Sequence, residues 1–504
     1  MTEYVFIALF FTTLAVAVPK SLVKAGKIQA ANYYPALLSR SELGEYFVLF
    51  ALGVIFAVAE NYRKGAGVIA FEAAVTLLMI YYSVGAKRMR VKFRFTARAT
   101  RFYLLYFAFQ TAVGAAVFAF ESTAAAIVYC AFALAFSGLV TDAAALAALP
   151  FEKANNARYL KKYSEKFARL NCIRVAVTGS YGKTGVKNML KTVLEGHYTV
   201  LATAGNLNTP FGIVKSLESY RGEQVFVAEF GARRKGDIDE LVRLLKPDYG
   251  IITGVCEQHL ETFGSIERVA AEKARLGEAL EDPARLVLNG ANEYTMKMAK
   301  RFPSALTAGA EGDVRAEKVT ETEKGLRFFL TFKGERRFVE FPLHGKYNAY
   351  NAAMAAATAL KLGVPLKDIA ARLKLIRPVP HRFEVKREGE ITVIDDGYNS
   401  NIEGALSSAE SLKAFSGRKI VVAQGITELG KAKKRINARF ADALAEAANM
   451  VVLVGENAGI IKKELGKRAF NGKIIRLRHF SEVEKTLAAL LESGDVVWFQ
   501  NDIP

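Results

Sequence analysis

The chain has 504 residues, enough for about three domains of ordinary size. Its formal net charge is +19, but no recognition motif with interleaved basic and aromatic residues occurs after residue 150, which argues against nucleic acid as a partner. The three cysteines, Cys130, Cys172 and Cys256, lie far apart without CxxC spacing, which argues against a disulfide framework and a cysteine zinc site.

Long uncharged stretches crowd the first 150 residues. Apolar runs occupy residues 4–18, 46–59, 67–86, 102–120 and 123–140. The last three approach the roughly 20 residues that a helix needs to cross a bilayer, and the first two are shorter. The pattern predicts an α-helical transmembrane bundle of about five helices over residues 1–150, with three spans as the alternative.

A basic loop separates the third and fourth apolar runs. Its cations are Lys87, Arg88, Arg90, Lys92, Arg94, Arg98 and Arg101. Loops rich in lysine and arginine stay on the cytoplasmic side. The chain is therefore expected to be integral to the cytoplasmic membrane, with membrane lipid as a partner and the catalytic domains in the cytoplasm. Glu72, inside the third run, is expected to pair within the membrane or to serve function.

A polar linker over residues 151–171 leads to a buried strand at 173–178, a glycine turn and a helix start. The turn and helix start consist of Gly179, Ser180, Tyr181, Gly182, Lys183 and Thr184. Backbone N–H groups of such a turn surround an anion, the lysine adds a positive charge, and the threonine hydroxyl binds magnesium. The segment predicts a P-loop that binds a nucleotide.

The shortened loop T-G-S-Y-G-K-T at 178–184 resembles that of the Mur ligases, which add amino acids or dipeptides to peptidoglycan precursors, and of their folylpolyglutamate synthetase relatives. Further similar segments follow in the family's order: G-N-L-N-T-P-F-G (205–212), E-F-G-A (229–232), H-L-E-T-F-G (259–264), G-K-Y-N-A-Y-N (345–351), H-R (381–382) and D-D-G-Y-N-S-N (395–401). The resemblance runs from residue 172 to the end. It is strongest to the branch that attaches D-alanyl-D-alanine.

The resemblance implies an α/β architecture after the membrane region. A central ATP-binding domain with a P-loop and a parallel sheet is expected over residues 172–378, because strands and helices alternate there. A Rossmann-like C-terminal domain, which brings the incoming amine, is expected over 379–504. Residues 377–380, with two prolines, are expected to form the hinge between them.

Two Mg²⁺ ions are expected beside the ATP phosphates. Glu229 ends the apolar strand at 225–230 and would bind one ion together with Thr184. The resemblance assigns the second ion to His259 and to Lys273, which matches a lysine that is carbamylated in several Mur ligases. With Lys183 and Arg382, these two residues form the expected catalytic set.

The remaining nucleotide contacts also follow from the resemblance. Asn348 and Asn351 fall three apart at the start of an alanine-rich helix, hence on one face, which the family uses for adenine. Arg382 would reach the γ-phosphate from the C-terminal domain. Asp395 or Asp396, after the strand at 391–394, would contact ribose.

These features imply an ATP-dependent amide ligase of peptidoglycan synthesis, which activates a carboxylate as an acyl phosphate and joins it to an amino acid or dipeptide. The family's soluble domain for the uridine nucleotide has no counterpart where membrane spans are predicted. A lipid-linked acceptor is therefore expected beside a UDP-linked one. The alternatives are a lipid-precursor amidating ligase, a polyglutamate-type ligase, and a membrane scaffold with an inactive ATPase domain.

Overall fold

The computed structural model describes residues 51–52, 54–62, 68–71, 73–75, 78, 96–118, 123–322, 324–397, 401–427 and 429–500. The chain divides into two compact units, residues 1–159 and 160–504. The predicted boundaries at 171/172 and 378/379 stay predictions. The predicted linker is helical over most of its length, because one helix runs from Ser137 to Ala168.

The first unit contains helices α1 (Ala97–Phe118) and α2 (Thr123–Ala135) and most of α3 (Ser137–Ala168). Tyr103 and Tyr106 of α1 share a buried cluster with Val140 and small residues of α3. The Tyr129 hydroxyl donates a hydrogen bond to the Gln110 carbonyl over 2.7 Å. The apolar faces of these helices thus bury part of their surface against one another.

The structure corrects the prediction of a membrane protein. In the part of the chain that it describes, no helix combines the length and the apolar character that crossing a membrane requires. Helix α2 has 13 residues, or about 20 Å, against roughly 30 Å of hydrocarbon. Helix α1 is longer but includes Arg101 and Gln110. The structure therefore does not support the predicted transmembrane bundle, the membrane lipid as a partner or the integral-membrane localisation.

Some of the predicted spans cannot be compared with the structure. The run at 4–18 lies outside the described residues, and so do Glu72 and the basic loop as far as residue 95. Only parts of the runs at 46–59 and 67–86 are described.

The second unit begins with an α/β sheet and its helices. Its strands are β1 (Ile173–Thr178), β2 (Val200–Ala202), β3 (Val225–Phe230), β4 (Tyr249–Ile252), β5 (Leu286–Asn289), β6 (Leu306–Gly309), β7 (Val314–Thr322), β8 (Gly325–Phe332) and β9 (Glu335–Phe341). Its helices are α4 (Lys183–Leu194), α5 (Pro210–Leu217), α6 (Asp237–Leu245), α7 (Leu260–Phe263), α8 (Ile266–Glu278), α9 (Glu293–Arg301), α10 (Lys346–Lys361) and α11 (Leu366–Leu373).

Among the described residues the strand order is β2-β3-β1-β4-β5-β6-β7-β8-β9. The predicted parallel pairing is confirmed from β2 to β7, but β8 and β9 run antiparallel to their neighbours. Only two residues separate β7 from β8, and two separate β8 from β9, a length that is typical of a hairpin and reverses the chain. These short connections therefore dictate the antiparallel extension.

Strand β1 is covered on both faces. Val175 and Val177 belong to a core cluster with helices α4 and α10, and Ala176 belongs to a second cluster with α5, α6 and α8. Side chains alternate across a strand, so consecutive apolar residues are needed when both faces are buried. This explains why β1 and β3 appear in the sequence as continuous apolar runs.

The C-terminal part forms a second sheet. Its strands are β10 (Glu384–Glu388), β11 (Ile391–Asp396), β12 (Lys419–Ala423), β13 (Met450–Leu453), β14 (Lys473–Arg476) and β15 (Val496–Gln500). Its helices are α12 (Ile402–Leu412), α13 (Lys433–Ala447), α14 (Ala458–Lys467) and α15 (Val483–Ala488). In the described residues the order is β10-β11-β15-β12-β13-β14, parallel except for β10. The expected second α/β alternation is confirmed.

Phe440 anchors helix α13 on this sheet, and its loss should destabilise the C-terminal part. Its buried ring meets Trp498 edge-on, with centroids 6.3 Å apart. We expect Phe440→Ala to lower the free energy of unfolding by about 3–5 kcal/mol because it removes buried area and leaves a cavity. Urea denaturation followed by fluorescence of Trp498, the single tryptophan, measures this change. The exposed Lys434→Ala on the same helix should change it by less than about 0.5 kcal/mol, and equal effects of the two variants would contradict this account.

Candidate active site

The P-loop connects β1 to α4 through two glycines in unusual conformations. Gly179 has φ +154°, and a Cβ there would lie 2.0 Å from the Thr253 hydroxyl oxygen. Gly182 has φ +75°, and a Cβ there would lie 2.8 Å from the Asn351 side-chain oxygen. Both positions need glycine, because a side chain would collide with a neighbour and φ values above zero strain other residues. The turn therefore approaches β4 and α10 closely.

Lys183 lies across this turn. Its ammonium donates hydrogen bonds to the carbonyls of Gly179 over 2.8 Å and Ser180 over 3.4 Å. Burial lowers the pKa of Lys183 and the nearby Glu229 carboxylate raises it, while the Arg382 guanidinium lowers it further. The predicted phosphate-binding lysine is thus a half-buried cation close to Glu229 and Arg382.

Glu229 and Thr184 meet as the sequence predicted. Strands β1 and β3 pair in parallel with Val177 opposite Glu229, so the end of β3 lies beside the start of the P-loop. The Thr184 hydroxyl donates a hydrogen bond to Glu229 Oε2 over 2.8 Å, which leaves its lone pairs available. A hydroxyl and a carboxylate are hard oxygen ligands that fit Mg²⁺ when phosphate oxygens complete the site.

Two further side chains hold Glu229 and were missed by sequence reasoning. Asn208 donates a hydrogen bond to Glu229 Oε1 over 3.1 Å. The Lys187 ammonium lies 3.5 Å from Glu229 Oε2. Asn208 belongs to the family-like segment at 205–212, and Lys187 follows Lys183 by four residues on the same helix face. These two features of the sequence would have been the signals for them.

His259 is not brought into a metal-binding group. It has φ +53° and caps the short helix α7, where its carbonyl accepts hydrogen bonds from the Thr262 and Phe263 amides. Within the described residues, no group of three histidine, cysteine or acidic side chains has metal-binding geometry. The structure therefore unites Thr184 with Glu229, and the role of His259 at a second ion stays a prediction.

Lys273 is buried on helix α8, with 3% of its surface exposed. Burial and, to a smaller extent, the nearby Lys183 charge lower its pKa to about 7. The adjacent Glu272 accepts hydrogen bonds from the Gly236 and Ile238 amides, which fixes this turn of the helix. Near pH 7 Lys273 thus has both a charged form and a neutral form, and the neutral amine is the form that reacts with carbon dioxide.

A cavity of about 610 Å³ lies between the P-loop, α10 and the C-terminal part. Such a volume is typical of small-molecule sites. The predicted nucleotide-binding residues that line it are Ser180, Tyr181, Gly182, Lys183, Thr184, Asn348, Asn351, Arg382 and Asp396. Gly179 and Asp395 lie outside the lining, as do Glu229, His259 and Lys273.

Asn348 and Asn351 lie on the cavity side of α10, as their spacing predicted. Both are buried, and the Asn348 amide donates a hydrogen bond to the His344 carbonyl over 2.7 Å. The Asn351 side chain lies against Gly182 of the P-loop. Their shared face is confirmed, while contact with adenine stays a prediction.

Arg382 enters the cavity from a strained segment. Its neighbours His381 and Phe383 have φ +61° and +49°, which costs energy in residues other than glycine. Asp396 accepts hydrogen bonds from the Phe383 amide and the Ser408 hydroxyl, and Asp395 lies 2.7 Å from the His381 ring. Both aspartates thus hold this segment in the structure, and the ribose contact predicted for them is untested. Residues 398–400 of the family-like segment at 395–401 lie outside the described residues.

Comparison with known proteins identifies both parts of the second unit. The family model of the Mur ligase middle domain matches residues 177–359, and that of the Mur ligase glutamate ligase domain matches residues 381–500. The UDP-N-acetylmuramoyl-tripeptide–D-alanyl-D-alanine ligase of Treponema pallidum is 30% identical over 343 residues, which are 66% of this chain and 72% of that protein.

Solved structures agree with this match. MurF from Acinetobacter baumannii superposes with a TM-score of 0.62 at 27% identity, and the match covers 67% of this chain and 75% of that one. MurF ligase from Thermotoga maritima in complex with ADP gives a TM-score of 0.60 at 27% identity, with 68% and 79% covered.

The matches cover the residues that build the P-loop, the Glu229 strand and the Arg382 segment. They confirm the predicted ligase class and support ATP and Mg²⁺ as its cofactors. The chain belongs to the Mur ligase family and is an ATP-dependent acid–amino-acid ligase.

Proposed function

We propose that this enzyme joins D-alanyl-D-alanine to the free carboxyl group of a UDP-N-acetylmuramoyl tripeptide. The relative of Treponema pallidum has this activity in its name, and the two solved structures described above, which are 27% identical to this chain, are MurF enzymes. The observation that carries the proposal is the grouping of Lys183, Thr184 and Glu229 at one edge of the sheet, beside a cavity that Arg382 enters.

The reaction needs an activated acid. The carboxylate of the tripeptide attacks the γ-phosphorus of ATP, which releases ADP and gives an acyl phosphate, and the dipeptide amine then displaces phosphate. Phosphoryl transfer depends on positioning and on neutralising charge. In this chain the Lys183 and Arg382 cations would neutralise the phosphate oxygens, one from the P-loop and the other from the C-terminal part.

Thr184 and Glu229 would hold Mg²⁺ in this scheme. The Thr184 hydroxyl donates a hydrogen bond to Glu229, so the lone pairs of the hydroxyl oxygen point away from that carboxylate. Mg²⁺, when bound, neutralises charge on the phosphate oxygens. The domains predicted at 172–378 and 379–504 would then supply the nucleotide site and the amine site, respectively.

Carbamylated Lys273 is the proposed ligand of a second Mg²⁺, together with His259. Its low pKa supports this, because a neutral buried amine captures carbon dioxide and becomes an anion. Such an anion would offset the charges of Lys183 and of the ion, whereas a second buried ammonium would add to them.

The lipid-linked acceptor was inferred from the predicted membrane spans, which the structure does not support. A lipid-linked stem peptide therefore serves as the comparison substrate. We expect the purified chain, given ATP, Mg²⁺ and D-alanyl-D-alanine, to convert a UDP-linked tripeptide into the pentapeptide with one ADP released per product. Mass spectrometry and coupled ADP detection measure this. Product formed only from a lipid-linked stem peptide, or only with ammonia or glutamate as the amine, would refute the proposal.

Lys183→Met should abolish most of the ligation. The substitution keeps the length of the side chain but removes the cation beside the phosphates, so we expect kcat to fall by at least about 100-fold. Lys191→Met, a substitution of an exposed lysine on the same helix, should leave kcat within about twofold. Circular dichroism checks that both variants fold, and a folded Lys183→Met enzyme with unchanged turnover would contradict the assigned role.

Carbamylation of Lys273 can be observed directly. We expect a carbamate carbon resonance in the ¹³C NMR spectrum of the enzyme equilibrated with ¹³C-bicarbonate at pH 8, where the amine is neutral. Lys273→Ala should lack this resonance and should lose at least about 100-fold in kcat. If the active wild-type enzyme gives a ¹³C NMR spectrum without the carbamate resonance, Lys273 is not carbamylated.

A further inference from the structure

Lys187 is a buried cation with no part in the scheme above. It lies one turn after Lys183 on helix α4, and only 1% of its surface is exposed. Lysine is almost never fully buried unless it is paired, because a buried charge loses its hydration. Its burial therefore calls for partners, and the structure shows two.

The shorter of these contacts goes to the backbone. The Lys187 ammonium donates a hydrogen bond to the Gly205 carbonyl over 2.6 Å and lies 3.5 Å from Glu229 Oε2. Gly205 opens the loop that ends at Asn208, whose amide donates to Glu229 Oε1. Lys187 thus reaches Glu229 in two ways, through its charge and through the loop that carries Asn208.

Together these contacts determine where the Glu229 carboxylate points. Thr184 and Lys187 approach Oε2, Asn208 approaches Oε1, and the Glu229 backbone amide donates to the Thr203 hydroxyl. The loop at 205–208 and the lysine therefore act on the carboxylate from opposite sides.

We propose that Lys187 is a positioning residue, which holds Glu229 and the loop at 205–208 in the arrangement that binds the divalent ion. The inference rests on the metal-binding role proposed above for Thr184 and Glu229. Partners that hydrogen-bond a ligating carboxylate orient it, and their removal typically weakens metal binding by about 10–100-fold.

The charge of Lys187 also has an opposing effect on metal binding. A lysine near a metal site also repels the incoming cation, so removal of its charge alone would tighten metal binding. The geometry favours the positioning effect, because the short contact of Lys187 goes to the Gly205 carbonyl and its contact with Glu229 is long. The two effects have opposite signs, so one measurement separates them.

The test is the affinity of the 504-residue enzyme for Mn²⁺ in the presence of ADP, measured by electron paramagnetic resonance without acceptor or amine. We expect Lys187→Met to bind Mn²⁺ about 10–100-fold more weakly than the wild type. Lys187→Arg, which keeps a charged donor, should recover part of this loss. Lys191→Met, with 44% of its side chain exposed in the wild type, should bind normally.

Mn²⁺ binding by Lys187→Met that equals or exceeds the wild type would overturn the inference. If that variant does not fold, Asn208→Ala is the second test. It removes a hydrogen bond between the same loop and Glu229, and it keeps the Lys187 cation beside the buried Glu229 carboxylate. Weaker Mn²⁺ binding by Asn208→Ala supports the inference, and unchanged binding overturns it. Since no ligation is measured, an incorrect acceptor or amine in the proposed function leaves this result unaffected.

Discussion

The proposed magnesium site depends on one buried carboxylate and on the partners that hold it. Glu229 is 1% exposed, and an ionised group so far from water is tolerated only where hydrogen bonds and cations compensate it. Its donors come from α4 and from the loop after β2. The sheet order β2-β3-β1 places both elements next to the end of β3. The order of these three strands thus buries the Glu229 carboxylate and also places its hydrogen-bond donors and the Lys187 cation beside it.

Much of this arrangement could be predicted because local patterns determine it. Continuous apolar runs identified β1 and β3, which are buried on both faces, and the glycine turn identified the P-loop. The cavity lining at Asn348 and Asn351 followed from helical spacing. In contrast, the burial of Lys187 depends on contacts with Gly205 and Glu229, which are distant in sequence. The local sequence around Lys187 therefore does not distinguish it from a surface lysine.

The incorrect prediction of a membrane protein has a related cause. An apolar run shows that side chains avoid water, but it does not show whether they meet lipid or other helices. In the described part of the first unit, Tyr103 and Tyr106 meet Val140 and small residues of α3. Helix α2 also ends after 13 residues, a limit that hydropathy alone does not reveal. The antiparallel strands β8 and β9 were likewise missed, because short turns rather than apolar content decide strand direction.

The strained segment around Arg382 has a consequence for the entropy of catalysis. Left-handed backbone at His381 and Phe383 persists because Asp395 and Asp396 clamp it from within the same sheet. The backbone that carries the guanidinium is therefore fixed, and an anion bound by Arg382 would have to order the side chain alone. Ordering a mobile backbone segment as well would offset part of the attraction between the two charges. Here the backbone is ordered during folding, before any turnover.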